Sequence, residues 1–275
     1  MEKRRHHYIP VFYLNYFTDL QTPSVQTPYV WILDRKNETV DNKAPRNFAF
    51  IKGYNDIIDS EGNVSNIVED QFNFEIELKA STVFRKLMSI KYLSKSDRFI
   101  LAKFVAAKIF RVPKFRKAFK EIVEEKYYRE FPNGGSDFEG VSSQLMMDSV
   151  VRTSGIIGNL LMRMDWSLLI APDGSHFITS DNPVVVRNPD DPKWLFCGFA
   201  SDTKIQVTFP LSAKICLFGA WGRYKRIIEY ITEEEVIEIN FETFKYSFEF
   251  LYSSTRYFRK EILLVNHLVN KGHIK

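Results

Sequence analysis

The sequence predicts a single α+β domain in which a central helical block packs on a mostly antiparallel sheet. Strand-like runs come first, followed by a long helical stretch, further strands and a last helix, without regular alternation. Hydrophobic residues make up 45% of the 275 residues and aromatic residues 15%, so the chain can bury a large core. The expected domain covers residues 1–275, with the helical block as a subdomain at 66–164.

The first part of the chain predicts a short helix and a pair of strands. Pro10 suits the first turn of a helix, where its missing N–H is not needed, so we expect a helix from Pro10 to Phe17. Residues 29–33 have the composition of a strand, and 47–51 follow turn-like residues as its expected partner. Residues 59–63 are expected to form an exposed loop.

The helical block is predicted from apolar residues at helical spacing. Ser94 suits a helix N-cap, because Asp97 follows at the third position and makes the first turn acidic. Pro113 ends or kinks the helix before it, and 132–136 has the composition of a linker. The predicted helices are 66–90, 98–111, 114–131 and 142–164.

Short strand-like runs dominate the remainder of the chain. A last helix is expected from Glu233 to Phe258, because an acidic first turn follows Thr232. Residues 261–265 are a candidate final strand. The predicted strands before the last helix are 166–170, 176–178, 184–186, 205–209 and 214–218.

The bulk composition excludes several classes of protein. The formal charge of +4 permits a nucleic-acid partner without arguing for one. Cys197 and Cys216 lie too far apart for a cysteine-rich zinc module, and we expect both to be buried. The sequence has neither an apolar leader nor a run of about 18 apolar residues, so a cytoplasmic protein without a membrane span is expected.

Two local clusters of basic residues carry more information than the net charge. Each cluster is either a solvated surface or a site that binds phosphate groups. The first consists of Lys114, Arg116, Lys117 and Lys120, and the second of Arg223, Lys225 and Arg226.

Adjacent histidines and a group of carboxylates are candidates for chemistry. His6 and His7 precede the first helix, where a histidine can bind a metal ion, act as a general base or cap a backbone carbonyl. On the next long helix, Asp70 and Glu77 fall within about 20° of each other, and Glu69 about 80° from Glu77. That face either binds an ion or is solvated.

A polar segment, Thr179-Ser180-Asp181-Asn182-Pro183, interrupts a strand-like run. Asp181 can close a tight turn through its side chain. Polar side chains at the end of a strand are also common in binding sites, so a turn role and a site role both stay open. Ser180 is a weak candidate nucleophile, because no G-x-S-x-G elbow surrounds it.

Several motifs together resemble those of a bacterial protein family. His6-His7-Tyr8-Ile9-Pro10, followed by Phe12-Tyr13-Leu14 and Phe17, resembles the opening H-H-Y-x-P-Q-F-Y-L-x-x-F of the DUF4238 family. The resemblance spans about residues 6–258 and departs from the family pattern at Val11, where Gln is usual. It includes 69–87, Asp165-Trp166, Thr179–Pro183, Phe209-Pro210-Leu211-Ser212 and Asn240.

The resemblance implies little about biochemical activity. The family has no settled function, although some members are associated with bacterial defence against phages. An effector role in antiviral defence is therefore one expectation for this chain.

An enzyme is the first hypothesis, namely a metal-dependent hydrolase such as a nuclease or another phosphodiesterase. A divalent ion (Mg²⁺, Mn²⁺ or Zn²⁺) would activate water and offset the charge of a phosphate group. The expected catalytic residues and metal ligands are His6, His7, Glu77 and Asp181. The expected substrate-binding residues are Tyr13, Ser180, Asn182, Asn240, Lys114, Arg116 and Arg223. A metal-free variant uses His6 or His7 as general base.

A non-catalytic sensor or binding module is the second hypothesis. In that case the His and Asp residues form a buried polar network that stabilises the fold. The partner would be nucleic acid or a phage protein and not a membrane, and a homo-oligomer is compatible with either hypothesis.

Overall fold

The computed structural model describes residues 5–23, 25–58, 64–65, 76–91, 93–130, 152–190, 202–222 and 227–258. Contacts between residues divide the chain into two compact units. The first unit contains Met1–Ile9 and Phe50–Met162, and the second contains Pro10–Ala49 and Arg163–Lys275.

The helices and strands alternate only in part along the chain. The described α-helices are α1 Val11–Leu14, α2 Leu78–Met88, α3 Lys95–Phe110, α4 Pro113–Glu130, α5 152–161 and α6 Glu233–Tyr246. The described strands are β1 Arg5–His7, β2 Val30–Asp34, β3 Thr39–Lys43, β4 Phe50–Lys52, β5 Ile57–Ile58, β6 Val64–Ser65, β7 Asp165–Ile170, β8 Thr179–Ser180, β9 Val185–Arg187, β10 Gln206–Pro210, β11 Ile215–Ala220, β12 Ile228–Tyr230 and β13 Phe250–Ser253.

Helices supply the core of the first unit. The predicted N-cap of α3 is confirmed: Ser94 accepts a hydrogen bond from the N–H of Asp97, and the Asp97 carboxylate accepts one from the N–H of Ser94. This reciprocal pair satisfies two N–H groups that a helix start leaves open. Phe84 of α2 packs edge-on against Phe104 of α3, with ring centroids 5.5 Å apart. Strands β1 and β4 pair antiparallel in the same unit.

Two sheets form the second unit. One has the strand order β12-β7-β11-β10-β9, and the other has the order β3-β2-β13-β8. Every described pairing in the chain is antiparallel except that of β12 with β7. The predicted α+β class with mostly antiparallel sheets is therefore confirmed. The extent of the domain, 1–275, and the helical subdomain at 66–164 stay predictions.

The predicted partner of the first long strand is wrong. Strand β2 pairs with β3, while β4, which overlaps the predicted partner 47–51, pairs with β1 instead. Residues Thr39–Lys43 are all exposed, so β3 lacks the alternation of apolar and polar residues that marks a half-buried strand. Residues 176–178, predicted as a strand, precede β8 without belonging to a sheet.

The predicted end of the last helix is also wrong. Helix α6 ends at Tyr246, and the chain then forms β13 in the middle of the four-stranded sheet. The aromatic residues of 244–252 stand at every second position, which is the pattern of a strand, and the strand pairs with β2 on one side and β8 on the other. The prediction extended the helix across residues whose spacing already changes from helical to alternating.

Other predicted elements agree with the structure within a few residues. The helix expected at 10–17 is α1 followed by a 3-10 turn at Asn15–Phe17. Cys216 is buried and reduced, as expected. None of the described helices combines the length and apolar character of a membrane span. Some predictions lie outside the described residues. They concern Cys197, the segments 59–63, 66–75, 132–136, 142–151 and 261–265, and the basic cluster of Arg223, Lys225 and Arg226.

Candidate functional site

The predicted site residues fall into both units. The first unit contains His6, His7, Glu77, Lys114 and Arg116, and the second contains Tyr13, Ser180, Asp181, Asn182 and Asn240. Arg223 lies outside the described residues, as do Glu69 and Asp70.

His6 is buried on β1 and faces a carboxylate that the sequence did not point to. Its Nδ1 accepts a hydrogen bond of 3.0 Å from the N–H of Asn55, and its Nε2 lies 3.6 Å from Oδ1 of Asp56. Neither Nε2 nor this Oδ1 has a hydrogen-bond partner among the described residues. Because Nδ1 acts as an acceptor, the neutral ring carries its proton on Nε2, directed at Asp56.

Asp56 was missed because nothing near it in the sequence resembles a known motif. It follows β4 after a turn at Gly53, whose φ of 69° only glycine adopts readily. The pairing of β4 with β1 brings this turn beside His6. Neighbouring His7 is half-buried, and its ring packs edge-on against Phe50 with centroids 5.4 Å apart.

Glu77 lies at the start of α2 and pairs with two cations, one in α3 and one immediately after its end. Oε1 of Glu77 is 2.9 Å from Nζ of Lys108 and 3.7 Å from Nη1 of Arg111. Lys108 is only 1% exposed, and its ammonium also donates to the carbonyl of Tyr8 at 3.4 Å. A lysine buried to this degree requires such partners, so Glu77 has a clear structural role.

The basic cluster of α4 is partly engaged with the fold. Arg116 donates to the backbone carbonyl of Tyr54, and its guanidinium lies 4.5 Å from the centroid of the Tyr54 ring. Burial raises the pKa of the Tyr54 phenol well above its ordinary value, although nearby Arg116 opposes this rise. Lys117 and Lys120 are exposed, whereas Lys114 is half-buried.

In the second unit, Asp181 binds the segment that leads into β13. Its carboxylate accepts hydrogen bonds from the N–H groups of Phe248, Glu249 and Phe250, at 2.8, 2.6 and 3.0 Å. The side chain is buried, and burial raises the pKa of this carboxyl above its ordinary value against the opposing effect of the three N–H donors. Both oxygens are therefore used within the fold.

Ser180 and Asn182 make local and longer bonds beside Asp181. The hydroxyl of Ser180 accepts from the N–H of Asn182 at 3.1 Å, which closes a short turn. The side-chain amide of Asn182 donates to the carbonyl of Tyr246, the last residue of α6, at 2.9 Å. The polar segment thus acts as a turn, and its side chains tie that turn to the end of a helix.

Tyr13 connects three of the motifs that carry the family resemblance. Its hydroxyl donates to the carbonyl of Pro210 at 2.7 Å and lies 2.6 Å from the hydroxyl of Thr179, which donates in return. The ring stacks on Phe209 with centroids 5.2 Å apart. Burial raises the pKa of the Tyr13 phenol far above its ordinary value.

Asn240 joins a fourth motif to the same region. Its Oδ1 accepts from the N–H of Ile178, and its Nδ2 donates to the carbonyl of His176, both at 2.9 Å. Both amide functions of Asn240 are therefore matched to the backbone immediately before β8. The motif residues of the second unit thus form one polar network.

The structure brings some of the predicted site residues into one polar network, and it does not test the predicted metal site. Tyr13, Ser180, Asp181, Asn182 and Asn240 belong to the network around β8. Within the described residues, no group of three His, Cys, Asp or Glu side chains could hold a metal ion. The four-residue metal site and the catalytic roles of its members stay predictions.

Comparison with known proteins gives one match. The family model described as "Protein of unknown function (DUF4238)" matches residues 5–257 of the chain. No curated protein and no solved structure matches the chain.

Proposed function

This chain belongs to the DUF4238 family, whose function is unknown, and we propose that it is a non-catalytic binding module for nucleic acid. In this proposal the motif residues stabilise the fold, and binding takes place on a separate basic surface. The observation that carries the proposal is the full use of the Asp181 carboxylate by three backbone N–H groups.

A catalytic or metal-binding carboxylate needs an oxygen that can reach its substrate or ion. Both oxygens of Asp181 instead accept hydrogen bonds from residues 248–250, and the residue is 1% exposed. Removing those bonds would leave three partly buried N–H groups without these acceptors, and each group that water cannot reach would cost about 1–3 kcal/mol. A structural role therefore accounts for Asp181 without any reaction.

The histidine motif fits the same proposal. His6 uses the lone pair of Nδ1 to accept the N–H of Asn55, so its remaining nitrogen is a donor directed at Asp56. A general base or a metal ligand needs a lone pair on the nitrogen that reacts. This tautomer suits a histidine that positions β1 against the turn after β4.

The basic start of α4 supplies the proposed binding surface. Lys114, Arg116, Lys117 and Lys120 lie within its first two turns, and the first acidic residue of the helix is Glu121. A helix start with this charge attracts phosphate groups through both its side chains and its backbone dipole. Arg116 is positioned by Tyr54, which gives the cluster a fixed member.

Fluorescence anisotropy with labelled single- and double-stranded DNA and RNA tests the proposal on the full chain. We expect binding that weakens with salt, and Lys117→Glu with Lys120→Glu should weaken it at least about tenfold and reduce the salt slope by about 2. Lys79→Glu with Lys91→Glu is the matched control, because both lysines are exposed on other parts of the first unit.

The same samples separate binding from cleavage. We expect the labelled strands to stay intact after incubation with Mg²⁺ or Mn²⁺. Absence of binding to every nucleic acid at low salt would overturn the proposal, and so would cleavage that is lost in a fully folded Asp181→Asn variant.

The cellular role within this proposal is defence against phage, which the family resemblance supports. Cells that express the chain should reduce the plating efficiency of at least one phage. The reduction should fall when Lys117 and Lys120 are both replaced by Glu, while protein abundance stays constant.

A metal-dependent hydrolase is the second candidate function, and the buried pair of His6 and Asp56 is the observation that favours it. Nε2 and Oδ1 face each other at 3.6 Å without hydrogen bonds to described residues, and imidazole with carboxylate suits Zn²⁺ or Mn²⁺, with Mg²⁺ bound mainly by the carboxylate. Coordination at Nε2 requires the ring proton to move to Nδ1, which ends the hydrogen bond from Asn55.

Elemental analysis of the purified chain tests this second candidate. Stoichiometric metal, a fall in melting temperature with EDTA and recovery with one of the three ions would support it. Asp56→Asn should then lose the metal, whereas Asp41→Asn, at an exposed position, should keep it. The metal-dependent hydrolase would be ruled out if the purified chain contains no metal and its melting temperature changes with neither EDTA nor added ions.

A further inference from the structure

Tyr54 and Arg116 form a pair beside the start of α4, and this pair is the strongest candidate for a further site. Tyr54 is 7% exposed, and its hydroxyl makes no hydrogen bond within the part of the chain that the structure describes. The guanidinium of Arg116 lies 4.5 Å from the centroid of the Tyr54 ring and donates to the Tyr54 carbonyl. A buried hydroxyl without a hydrogen bond is uncommon in folded proteins and needs an explanation.

The side chains around the Tyr54 hydroxyl donate hydrogen bonds and do not accept them. Burial raises the pKa of the Tyr54 phenol, so the phenol keeps its proton at neutral pH. The positive charges of Arg116 and Arg111 oppose this rise, which places both guanidinium groups near the phenol. A guanidinium has five N–H groups and no acceptor, and Arg116 uses one of them for the Tyr54 carbonyl. An anion would supply the acceptor that the Tyr54 hydroxyl lacks among the described residues.

The position of the pair gives an anion both access and favourable charge. Arg116 is half-buried, so one side of the pair faces solvent. It lies in the first turn of α4, which begins at Pro113 and is 18 residues long, so the positive end of the helix dipole adds to its charge. Helix starts and guanidinium groups are both common partners of phosphate groups.

We propose that Tyr54, Arg116 and the start of α4 bind the terminal phosphate group of a nucleic-acid strand. The inference rests on the proposed function, and it names the part of the nucleic acid that this site recognises. The Tyr54 hydroxyl and the Arg116 guanidinium donate to oxygens of the same phosphate group. Arg111 adds positive charge from within the fold.

Burial distinguishes a terminal phosphate group from an internal one. An internal phosphodiester has a sugar on both sides, so it cannot approach the hydroxyl of a residue that is 7% exposed. A terminal phosphate monoester has one sugar and carries a charge of about −1.5 to −2 at neutral pH, so it can reach further and is attracted more strongly. The exposed Lys117 and Lys120 then contact the strand that follows.

Fluorescence anisotropy with one internally labelled DNA strand tests the proposal. The strand is prepared with a phosphate at its 5′ end, at its 3′ end or at neither end. The full chain should bind at least one phosphorylated form at least about tenfold more tightly than the unphosphorylated form, an effect that one hydrogen bond to a charged group supplies. Equal affinity for the three forms would overturn the inference.

Two variants assign this preference to the pair. Tyr54→Phe and Arg116→Gln should each reduce the preference to less than about threefold, because each removes a donor to the phosphate group. Arg129→Gln is the matched control and should keep the preference, since Arg129 is exposed at the other end of α4. A preference that survives in either of the first two variants would contradict the assignment.

Melting temperatures separate binding of the phosphate group from a structural role of the hydroxyl. Because the Tyr54 hydroxyl has no hydrogen bond to a described residue, Tyr54→Phe should melt no lower than wild type without a ligand. Thymidine monophosphate should raise the melting temperature of wild type more than thymidine does, and Tyr54→Phe should lose this difference. A variant that melts much lower than wild type without a ligand would show a structural role and overturn the inference.

The strand-binding measurements also distinguish the failure of this inference from that of the proposed function. A chain that binds all three strands equally keeps the proposed function and loses the terminal-phosphate site. A chain that binds none of the strands at low salt loses both. Tight binding of a phosphorylated strand that depends on Tyr54 and Arg116 supports both.

Discussion

The side-chain oxygens of Tyr13 and Thr179 lie 2.6 Å apart, although the two residues are separated by 166 positions in the sequence. Tyr13 belongs to the N-terminal motif and Thr179 to the T-S-D-N-P motif. The contact explains why both motifs occur in one chain: the first supplies a buried phenol, and the second supplies its hydrogen-bond partner. The backbone carbonyl of Pro210, in a third motif, accepts a hydrogen bond from the Tyr13 hydroxyl.

Replacing Tyr13 by Phe should destabilise the second unit without changing its fold. The change leaves the Pro210 carbonyl and the Thr179 hydroxyl without their buried partner, which should lower the free energy of unfolding by about 1–3 kcal/mol. Urea unfolding measures the loss. Tyr257→Phe is the control, because Tyr257 is 77% exposed and its replacement should change stability little. Equal stability of the two variants would contradict the structural role of Tyr13.

Asp181→Asn should destabilise the chain although the shapes of the two side chains match. An amide has one acceptor oxygen, and its NH₂ group would face backbone N–H groups of 248–250, so at least one partly buried donor loses its acceptor. We expect a loss of about 2–3 kcal/mol in the free energy of unfolding. Asp173→Asn, on an exposed turn, is the matched control. A fully stable Asp181→Asn variant would show that these bonds contribute nothing.

Lys108→Met should lower the free energy of unfolding, because the Glu77 carboxylate then loses the closer of the two cations, Lys108 and Arg111, that lie beside it. Removing one partner of a buried ion pair typically costs about 3–5 kcal/mol. Adding Glu77→Gln should recover part of that loss, since the uncompensated charge disappears. Unfolding of the two single variants and the double variant gives the coupling energy. Strictly additive effects would argue against a pair.

Asp97→Asn should remove part of the pH dependence of stability. Hydrogen bonds from Lys86 are the main cause that holds the pKa of Asp97 below its ordinary value, against the effect of burial. Because the folded pKa is lower than the unfolded one, Asp97 stabilises the chain above about pH 4 and loses this effect as the pH falls through the folded pKa.

Unfolding at several pH values checks this prediction. At neutral pH, the free energy of unfolding of wild type should exceed that of Asp97→Asn by about 1 kcal/mol, a typical value for a helix cap. This difference should become smaller at acidic pH. The exposed Asp173→Asn serves as control. A difference that stays constant down to strongly acidic pH would contradict the assignment.

Local signals in the sequence were enough for several elements. Ser94 and Asp97 predicted the start of α3, because a capping box involves residues only three positions apart. A turn at the polar segment was one of two alternatives, and the bond between Ser180 and Asn182 closes one; the Asp181 side chain, expected to close that turn, instead accepts from residues 248–250. These features depend on backbone geometry within a few residues.

Other features could not be predicted, because they depend on segments that meet only in the folded chain. The residues that follow α6 bind Asp181, which lies 67 or more positions away in the sequence. Asp56 has no motif around it, and only the pairing of β1 with β4 brings it to His6. Strand β3 was missed because its sequence is polar on both faces.

By itself, the sequence determined the α+β class, the main helices, the cap of α3 and membership of the DUF4238 family. Only the tertiary structure decided which polar atoms meet: Tyr13 with Thr179, Asp181 with residues 248–250, and His6 with Asn55 and Asp56. The physical reason is the separation along the chain over which each interaction acts. Helix propensity and capping act between residues a few positions apart, whereas a hydrogen bond requires its two atoms within about 3 Å, wherever the chain has brought them.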